Sequence, residues 1–519
     1  MKKDIYIYDT TLRDGSQMEG VNFSVHEKVK ITEKLDDFGV DFIEGGWPGS
    51  NPKDEEFFQT IKQRKITNEV VAFSATVLKN KKPSSDPLLQ KVVAAKTKWV
   101  TVFGKTWDLH TRKILHISDI EALQLIQKTI KFLTAQKRKV IFDAEHFFDG
   151  FQANPTFALQ CLRVAAQSGA QNITLCDTNG GTLPNEVRSI IQAVKKEITT
   201  PLGIHAHNDS GVAVANSLVA VEEGANLIQG TFGGLGERSG NTNLGTTIAD
   251  LHLKQKRKII PSTHLQKLTQ LTNFIFETAN LPPPKNLPFV GVNAFTHKGG
   301  VHVSAVRKNP KSYEHIDPRV VGNTSRVTIS ELSGKSNVVT VARRLGFRLA
   351  ANSPHTREIL SKVKSLENAG FYFETAEASF ALLILRSQKN YTAPFEVIDY
   401  FVMNQKDGEA KATVKLRVGK EIREYAASGN GPVNALDVAT RRAVTKFFPQ
   451  IQNVELKDYK VRILDGDAAT AAKTRVLIES SNGRENWSTV GCSENIIEAS
   501  WQALVDSLEY AIWRSKKDS

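Results

Sequence analysis

A chain of 519 residues with 40% hydrophobic and 24% charged side chains has an ordinary globular composition and is long enough for about two to four domains. Its net charge of +13 comes from 68 basic and 55 acidic residues, but the bases are scattered in short clusters such as KNKK (79–82) and KQKRK (254–258), which favours attraction of small acidic ligands over a nucleic-acid footprint. No apolar run approaches the roughly 18–20 residues of a bilayer span, the start MKKDIYIYDTT lacks a secretory apolar core, and the dispersed cysteines Cys161, Cys176 and Cys492 give no disulfide framework, so a cytoplasmic protein with no membrane and no nucleic-acid partner is expected.

In chain order, short apolar β-branched runs alternate with amphipathic stretches. The strand candidates are 5–9 (IYIYD), 41–45 (DFIEG), 70–75 (VVAFSA), 99–104 (WVTVFG), 140–145 (VIFDAE), 172–177 (NITLCD), 202–207 (LGIHAH) and 226–230 (NLIQG). Between them lie helical patterns such as 25–39, 118–136, 154–169 and 184–197, several opened by Ser, Asn or Asp and closed near Gly. Strands alternating with helices imply a parallel sheet. Eight such units in this length match a closed (β/α)8 barrel, with an open doubly wound sheet as the alternative.

Beyond the eighth unit the pattern changes. LPPPKNLPFVG (281–291) reads as a stiff connector. A polar stretch rich in His and Gly follows at 293–318, then a mixed, partly helical region to about residue 375. After the apolar FALLILRSQ (380–388) come strand-like FEVIDYFVMNQ (395–405) and AKATVKLRVG (410–419), then helix-like 431–448. The order recurs in 459–466, 473–481 and 493–514, so an internally repeated α+β domain of two strand-strand-helix units is expected. The boundaries expected are 1–268 for the barrel, 269–378 for a helical linker or lid, and 379–519 for a C-terminal α+β domain.

Polar residues gather at the ends of the barrel strands, where barrel enzymes place their chemistry. Arg13 and Asp14 follow strand 1 in DTTLRDGSQ (9–17), Glu145 ends strand 5, Asp177 and Thr178 end strand 6, His205 and His207 end strand 7, and Asn241 lies after strand 8 in GGLGERSGNTN (233–243). On a strand, histidines two apart point to one face. Strands 7, 8 and 1 are neighbours in a closed barrel, so Asp14, the two histidines and Asn241 can converge. The oxygen donors suit Mg2+ or Mn2+, and two imidazoles widen the choice to Zn2+, Co2+ or Ni2+. The plainer alternative is a pair of hydrogen-bonded core histidines.

Arg13 beside Asp14 would clamp a carboxylate next to that ion, as a 2-oxo acid requires; an ordinary Arg–Asp pair is the alternative. In the Gly-rich loop, Glu237 and Arg238 are candidates to pair with each other rather than with a ligand. THKGGVH (296–302) supplies His297 and His302, either of which could move a proton or serve only a structural loop.

DTTLRDG, HAHND (205–209) and GLGERSGNTNL, taken together, resemble the family of 2-isopropylmalate, homocitrate and citramalate synthases, over essentially the whole length. The resemblance implies metal ligation by Asp14, His205, His207 and Asn241. It implies oxo-acid contacts from Arg13 and Thr178 with Glu145 near the substrate, and a catalytic His302 and Tyr313, which in this family can act across a dimer. The stretch FIEGGWPGSNPKD (42–54) is similar to the branch that uses pyruvate. This implies condensation of acetyl-CoA with pyruvate on a divalent metal (Mn2+, Mg2+, Co2+ or Zn2+) in isoleucine biosynthesis, isoleucine as feedback effector, and a homodimer. Action on 2-oxoisovalerate is the alternative within the family. A related lyase is disfavoured, because such lyases carry a cysteine in the loop after strand 8 and residues 233–241 contain none. The effector would be read by GNGPVNALD (429–437) and VGCSENIIEASWQAL (490–504).

Overall fold

In the computed structural model the described residues are 4–329, 333–406, 408–464 and 471–518. The chain divides into two compact units, Met1–Phe295 with Ile316–Thr324, and Thr296–His315 with Ser325–Ser519.

The first unit is a closed barrel of eight parallel strands: β1 (Tyr6–Asp9), β2 (Phe42–Gly46), β3 (Glu69–Ala75), β4 (Trp99–Lys105), β5 (Lys139–Glu145), β6 (Asn172–Asp177), β7 (Leu202–Ala206) and β8 (Leu227–Gly230). All eight predicted strands are present, shifted by no more than a residue or so at either end. Closure is made by β1, which pairs with β2 on one side and β8 on the other. The strands are buried on both faces, as apolar runs in a parallel sheet demand. Tyr8, Phe42, Val71, Ile141 and Leu227 fill part of the barrel interior, and a larger apolar layer lies between strands and helices.

The helices start where side chains can satisfy their free N–H groups. Ser24 and Glu27 form a reciprocal capping box on Val25–Phe38, and Ser118 and Glu121 do the same on Asp119–Ala135. Asn154 caps Pro155–Gln167, whose proline at the first position has no N–H to satisfy. Losing one such cap costs about 1 kcal/mol, so each is a local choice on a fold held by burial.

The second unit opens with a two-stranded parallel pair, β9 (Thr296–His297) and β10 (Arg326–Val327), beside the helix Gly300–Lys308. Helices Lys335–Arg344, Pro354–Asn368 and Glu377–Arg386 follow. The last carries the apolar run expected near 380 and is buried almost all round. Next come two antiparallel sheets, β11 (Glu396–Met403), β12 (Ala410–Val418), β13 (Glu421–Gly429) and β14 (Glu455–Ile463), β15 (Thr474–Ser481), β16 (Asn486–Ser493), each followed by a helix, Pro432–Val444 and Ile496–Asp518.

The repeat is therefore three strands and a helix, not two strands and a helix. Of the expected strand 459–466, residues 465 and 466 lie outside the described residues. Both helices pack on the inner faces of the sheets through Ala435, Leu436, Ala439, Ala499, Leu504 and Leu508. The outer strands leave apolar side chains in solvent, among them Phe401, Ile422, Leu456, Val461 and Ile463. Among the described residues no helix is long and apolar enough to cross a membrane.

Candidate active site

The first loop is knitted to β8 by its own polar residues. Asp9 accepts hydrogen bonds from the Thr11 N–H (3.0 Å) and hydroxyl (2.7 Å). The Thr10 N–H donates to the Gly230 carbonyl (2.8 Å), and the Phe232 N–H donates to Thr11 Oγ1 (3.1 Å). Arg13 and Asp14 are thereby fixed at the mouth of the barrel. Asn241 is placed by an antiparallel bridge to His207 that continues β7 beyond its end. The Gly-rich loop needs its glycines there: at Gly236, with φ of 150°, a Cβ would lie 2.0 Å from Asn241 Oδ1.

The four expected ligands converge. His205 Nε2 lies 3.4 Å from His207 Nε2 and 3.6 Å from Asp14 Oδ2. Asn241 Nδ2 sits 3.4 Å from Asp14 Oδ2 and 3.3 Å from His205 Nε2. All four side chains are buried. Burial, set against the neighbouring Asp14, holds the His205 pKa below its ordinary value. Burial and then His205 push His207 down to about 3. Both rings are therefore neutral and carry the lone pair that a metal needs. Burial would raise Asp14, but the neighbouring Arg13 guanidinium holds it below the ordinary carboxylate value.

Among the described residues no three His, Cys, Asp or Glu side chains make a cage by themselves; this donor set is mixed and uses the asparagine amide. Asn241 Oδ1 is buried without a hydrogen-bond partner. A half-turn of that amide brings the oxygen to the place now held by Nδ2, beside Asp14 and His205. A hard or borderline divalent cation fits such a nitrogen and oxygen set.

A residue that sequence reasoning did not single out orients His205. Gln229, fully buried on β8, accepts from His205 Nδ1 (2.9 Å) and donates to Asp143 Oδ1 (2.8 Å) and Thr174 Oγ1 (3.3 Å). The proton on Nδ1 leaves Nε2 as the coordinating atom. Burial and then Glu44 raise the Asp143 carboxyl well above its ordinary value.

Arg13 donates through Nε to the buried Glu44 (2.6 Å) and through Nη1 to Asp14. Its guanidinium also lies 3.8 Å from the centre of the Phe73 ring. Glu44 is held in turn by the Tyr8 hydroxyl at 2.5 Å. Nη2 is the donor arm left for a substrate carboxylate, so the expected clamp is narrower than a free guanidinium.

A cavity of 210 Å3 opens over these residues, lined by Arg13, Asp14, His205 and His207 together with Trp47, Phe73, Phe103, Glu145 and Thr178. Glu145 is paired with Lys105 at 2.6 Å. Thr178 Oγ1 accepts the His146 N–H at 2.9 Å, which leaves its own proton free to donate inward. His146 sits in the left-handed region (φ 58°), a local strain placed directly after Glu145. Arg238 does not pair chiefly with Glu237, which is 3.9 Å away. It forks onto Asp209 (2.8 and 3.0 Å) and reaches the Thr178 carbonyl (2.7 Å), which accounts for the Asp in HAHND.

His302 and Tyr313 belong to the second unit, where their rings stack at 4.2 Å; both are exposed. His297, the competing histidine, is buried and hydrogen-bonded to the buried Glu314 at 3.1 Å.

Residues 4–275 match the family model described as HMGL-like, 289–370 match the homocitrate synthase post-HMGL domain-like model, and 374–512 match the LeuA allosteric (dimerisation) domain. The chain is 49% identical to the (R)-citramalate synthase of Aquifex aeolicus, covering 100% of this chain and 99% of the relative. It is 48% identical to that of Geobacter sulfurreducens, covering 99% and 98%. To the 2-isopropylmalate synthase of Methanocaldococcus jannaschii it is 30% identical, covering 99% and 96%. An HMGL-like barrel followed in the chain by the LeuA-type domain, matched end to end at such identity, establishes that the chain belongs to the (R)-citramalate synthase family.

Proposed function

We propose that this chain condenses acetyl-CoA with pyruvate and hydrolyses the thioester, yielding (R)-citramalate and CoA. The observation that carries the reading is the small aromatic-walled cavity in which Arg13 adjoins the cluster of Asp14, His205, His207 and Asn241. It suits a short, anionic oxo acid. Those four residues would hold a divalent ion (Mn2+, Mg2+, Co2+ or Zn2+), which when bound supplies Lewis acidity toward the oxo group.

The protein's own groups supply the rest. Arg13 Nη2 and the Thr178 hydroxyl hold the pyruvate carboxylate. His302, with Tyr313, takes a methyl proton from acetyl-CoA, within one subunit or across two. The resulting carbanion carbon bonds to C2 of pyruvate as the C=O π bond opens, the charge that gathers on the oxo oxygen is offset by Arg13, and the proton held by His302 returns there to give the hydroxyl. Glu145, tethered by Lys105, orients the water that attacks the thioester carbonyl, and CoA leaves with a proton.

The C-terminal domain is assigned to isoleucine feedback and to homodimer formation, in support of a role in isoleucine biosynthesis in the cytoplasm. The match to the LeuA domain supports this, as does the equivalence of 429–437 and 490–504. Each of those segments joins the third strand of a repeat to its helix. We place the functional boundaries at 1–268, 269–378 and 379–519.

CoA release measured with Mn2+ or Mg2+ and three oxo acids tests the reading. A strong preference for pyruvate is expected. Preference for 2-oxoisovalerate would reassign the substrate, and no release with any of the three would remove the condensation. An isoleucine titration without binding or rate change would remove the regulatory part.

A further inference from the structure

His302 and Tyr313 are exposed, so burial does not fix their rings. The stretch that carries them is nevertheless closed at its base. His297 Nε2 and Glu314 Oε1 lie 3.1 Å apart across a sequence separation of 17, both side chains are buried, and the span between them contains both rings.

The His297 end is anchored. Its strand β9 pairs with β10, and the Asn337 amide donates to the Lys298 carbonyl (2.8 Å) and the Thr328 carbonyl (3.1 Å). The helix Gly300–Lys308, which bears His302, starts against backbone: a Cβ on Gly300 would lie 2.8 Å from the Gly334 nitrogen. The chain then turns at Asn309, whose side chain accepts the Lys311 N–H (3.1 Å), and the Glu314 N–H closes on the Pro310 carbonyl (2.9 Å). Among the described residues His297 is the one side-chain partner of the Glu314 carboxylate.

A buried carboxylate must be paired to offset its desolvation, and an apolar pair of similar volume often stabilises as well or better. What the polar pair adds is a fixed length and direction. Glu314 is the residue next to Tyr313, so that direction bears on how the Tyr313 ring meets His302, stacked at 4.2 Å with 28° between the planes.

We infer that His297 and Glu314 are positioning residues, whose bond clasps the 297–314 loop and holds His302 in register with Tyr313 for proton transfer. This rests on the role proposed above for His302. Arg13 and Thr178, which hold the pyruvate carboxylate in that proposal, belong to the other compact unit, so the clasp acts on turnover and not on pyruvate binding.

Substitutions in the full-length protein test this. Glu314→Met keeps an unbranched side chain but cannot make the bond, and His297→Phe keeps a buried ring and breaks it from the other side. Glu314→Gln offers both an acceptor oxygen and an N–H donor, so it can keep the bond with either His297 tautomer. Whichever of E314M and H297F folds by circular dichroism is expected to lose about tenfold or more in kcat, but no more than H302A loses. KM for pyruvate is expected to stay within about twofold, and E314Q to recover most of the lost kcat. In the H302A background the same substitution is expected to change kcat less than about twofold, because His302 is no longer there to be positioned. A readout without turnover is NMR of protein labelled with 13C at histidine Cε1. The His302 signal, identified by its loss in H302A, is expected to move in the clasp-breaking variant, as the ring leaves the face of Tyr313, and to stay in place in E314Q. Unchanged kcat, the same fold-loss with and without His302, or an unmoved His302 signal in the clasp-breaking variant would each overturn the inference. If H302A is fully active, the base reading fails, and the His302 signal alone decides whether the clasp sets the ring pair.

Discussion

Replacing Gln229 by leucine is the sharpest probe of the metal site, because Gln229 is fully buried and touches no substrate position. Leucine fills nearly the same volume but can neither accept from His205 Nδ1 nor donate to Asp143, bonds of 2.9 and 2.8 Å in the native chain. Each stranded buried group costs about 1–3 kcal/mol, so two of them cost about 2–6 kcal/mol of stability. The effect on the ion is separate. A coordinating histidine that loses the partner of its other nitrogen typically costs about 10–100-fold in metal affinity, which is about 1.4–2.7 kcal/mol. The assay is Mn2+ binding followed by electron paramagnetic resonance, with the Mn2+ concentration for half-maximal CoA release as a second readout and far-UV circular dichroism as a check on folding. A folded Q229L protein that binds Mn2+ with the wild-type dissociation constant would refute the assignment of His205 as a ligand oriented through β8.

Three further perturbations follow from the same geometry. Gly236→Ala drives a Cβ into Asn241 Oδ1, so metal affinity is expected to fall at least about tenfold with the barrel's circular dichroism retained; unchanged Mn2+ binding would count against Asn241 as a ligand. Asp9 is held by burial at about 7, so between its unfolded value of about 4 and about 7 the folded chain binds more protons than the unfolded one. Stability contributed there is present below about pH 4 and is lost as the pH rises through 7, at up to about 1.4 kcal/mol per unit. Denaturant melts of Asp9→Asn across this range should show a flatter pH dependence than the wild type, and an equal slope would contradict it. His302→Ala is expected to lose turnover by about 100-fold or more while pyruvate binding, measured calorimetrically, is retained; full activity would remove His302 as the base.

The barrel was legible because each of its strands is a β-branched run buried on both faces, and such runs stand out between amphipathic helices. The C-terminal domain was only half legible. EIREYAASG is largely solvated and NWSTVGCS is buried at three consecutive central residues, and their small and polar residues hide the alternation that β12 and β15 display. In the site, Asp14, His205, His207 and Asn241 could be found because they follow strand ends in compact motifs. Glu44, Phe73, Phe103 and Gln229 lie within strands and read as ordinary barrel interior. Their roles exist only after β2, β3, β4 and β8 have curled around one axis, which no local pattern encodes. Arg13 shows the same limit. Its Nε is taken by Glu44, a contact 31 residues away in sequence.

The identity of the product tests the central claim most directly. The full-length protein, with Mn2+ or Mg2+, would be incubated with acetyl-CoA carrying 13C in the acetyl methyl group and with unlabelled pyruvate, and the product analysed by NMR and chiral chromatography. The account predicts (R)-citramalate with the label in its methylene carbon and one CoA released per molecule formed. CoA released without a labelled C–C product, or a labelled product formed only with 2-oxoisovalerate, would contradict it.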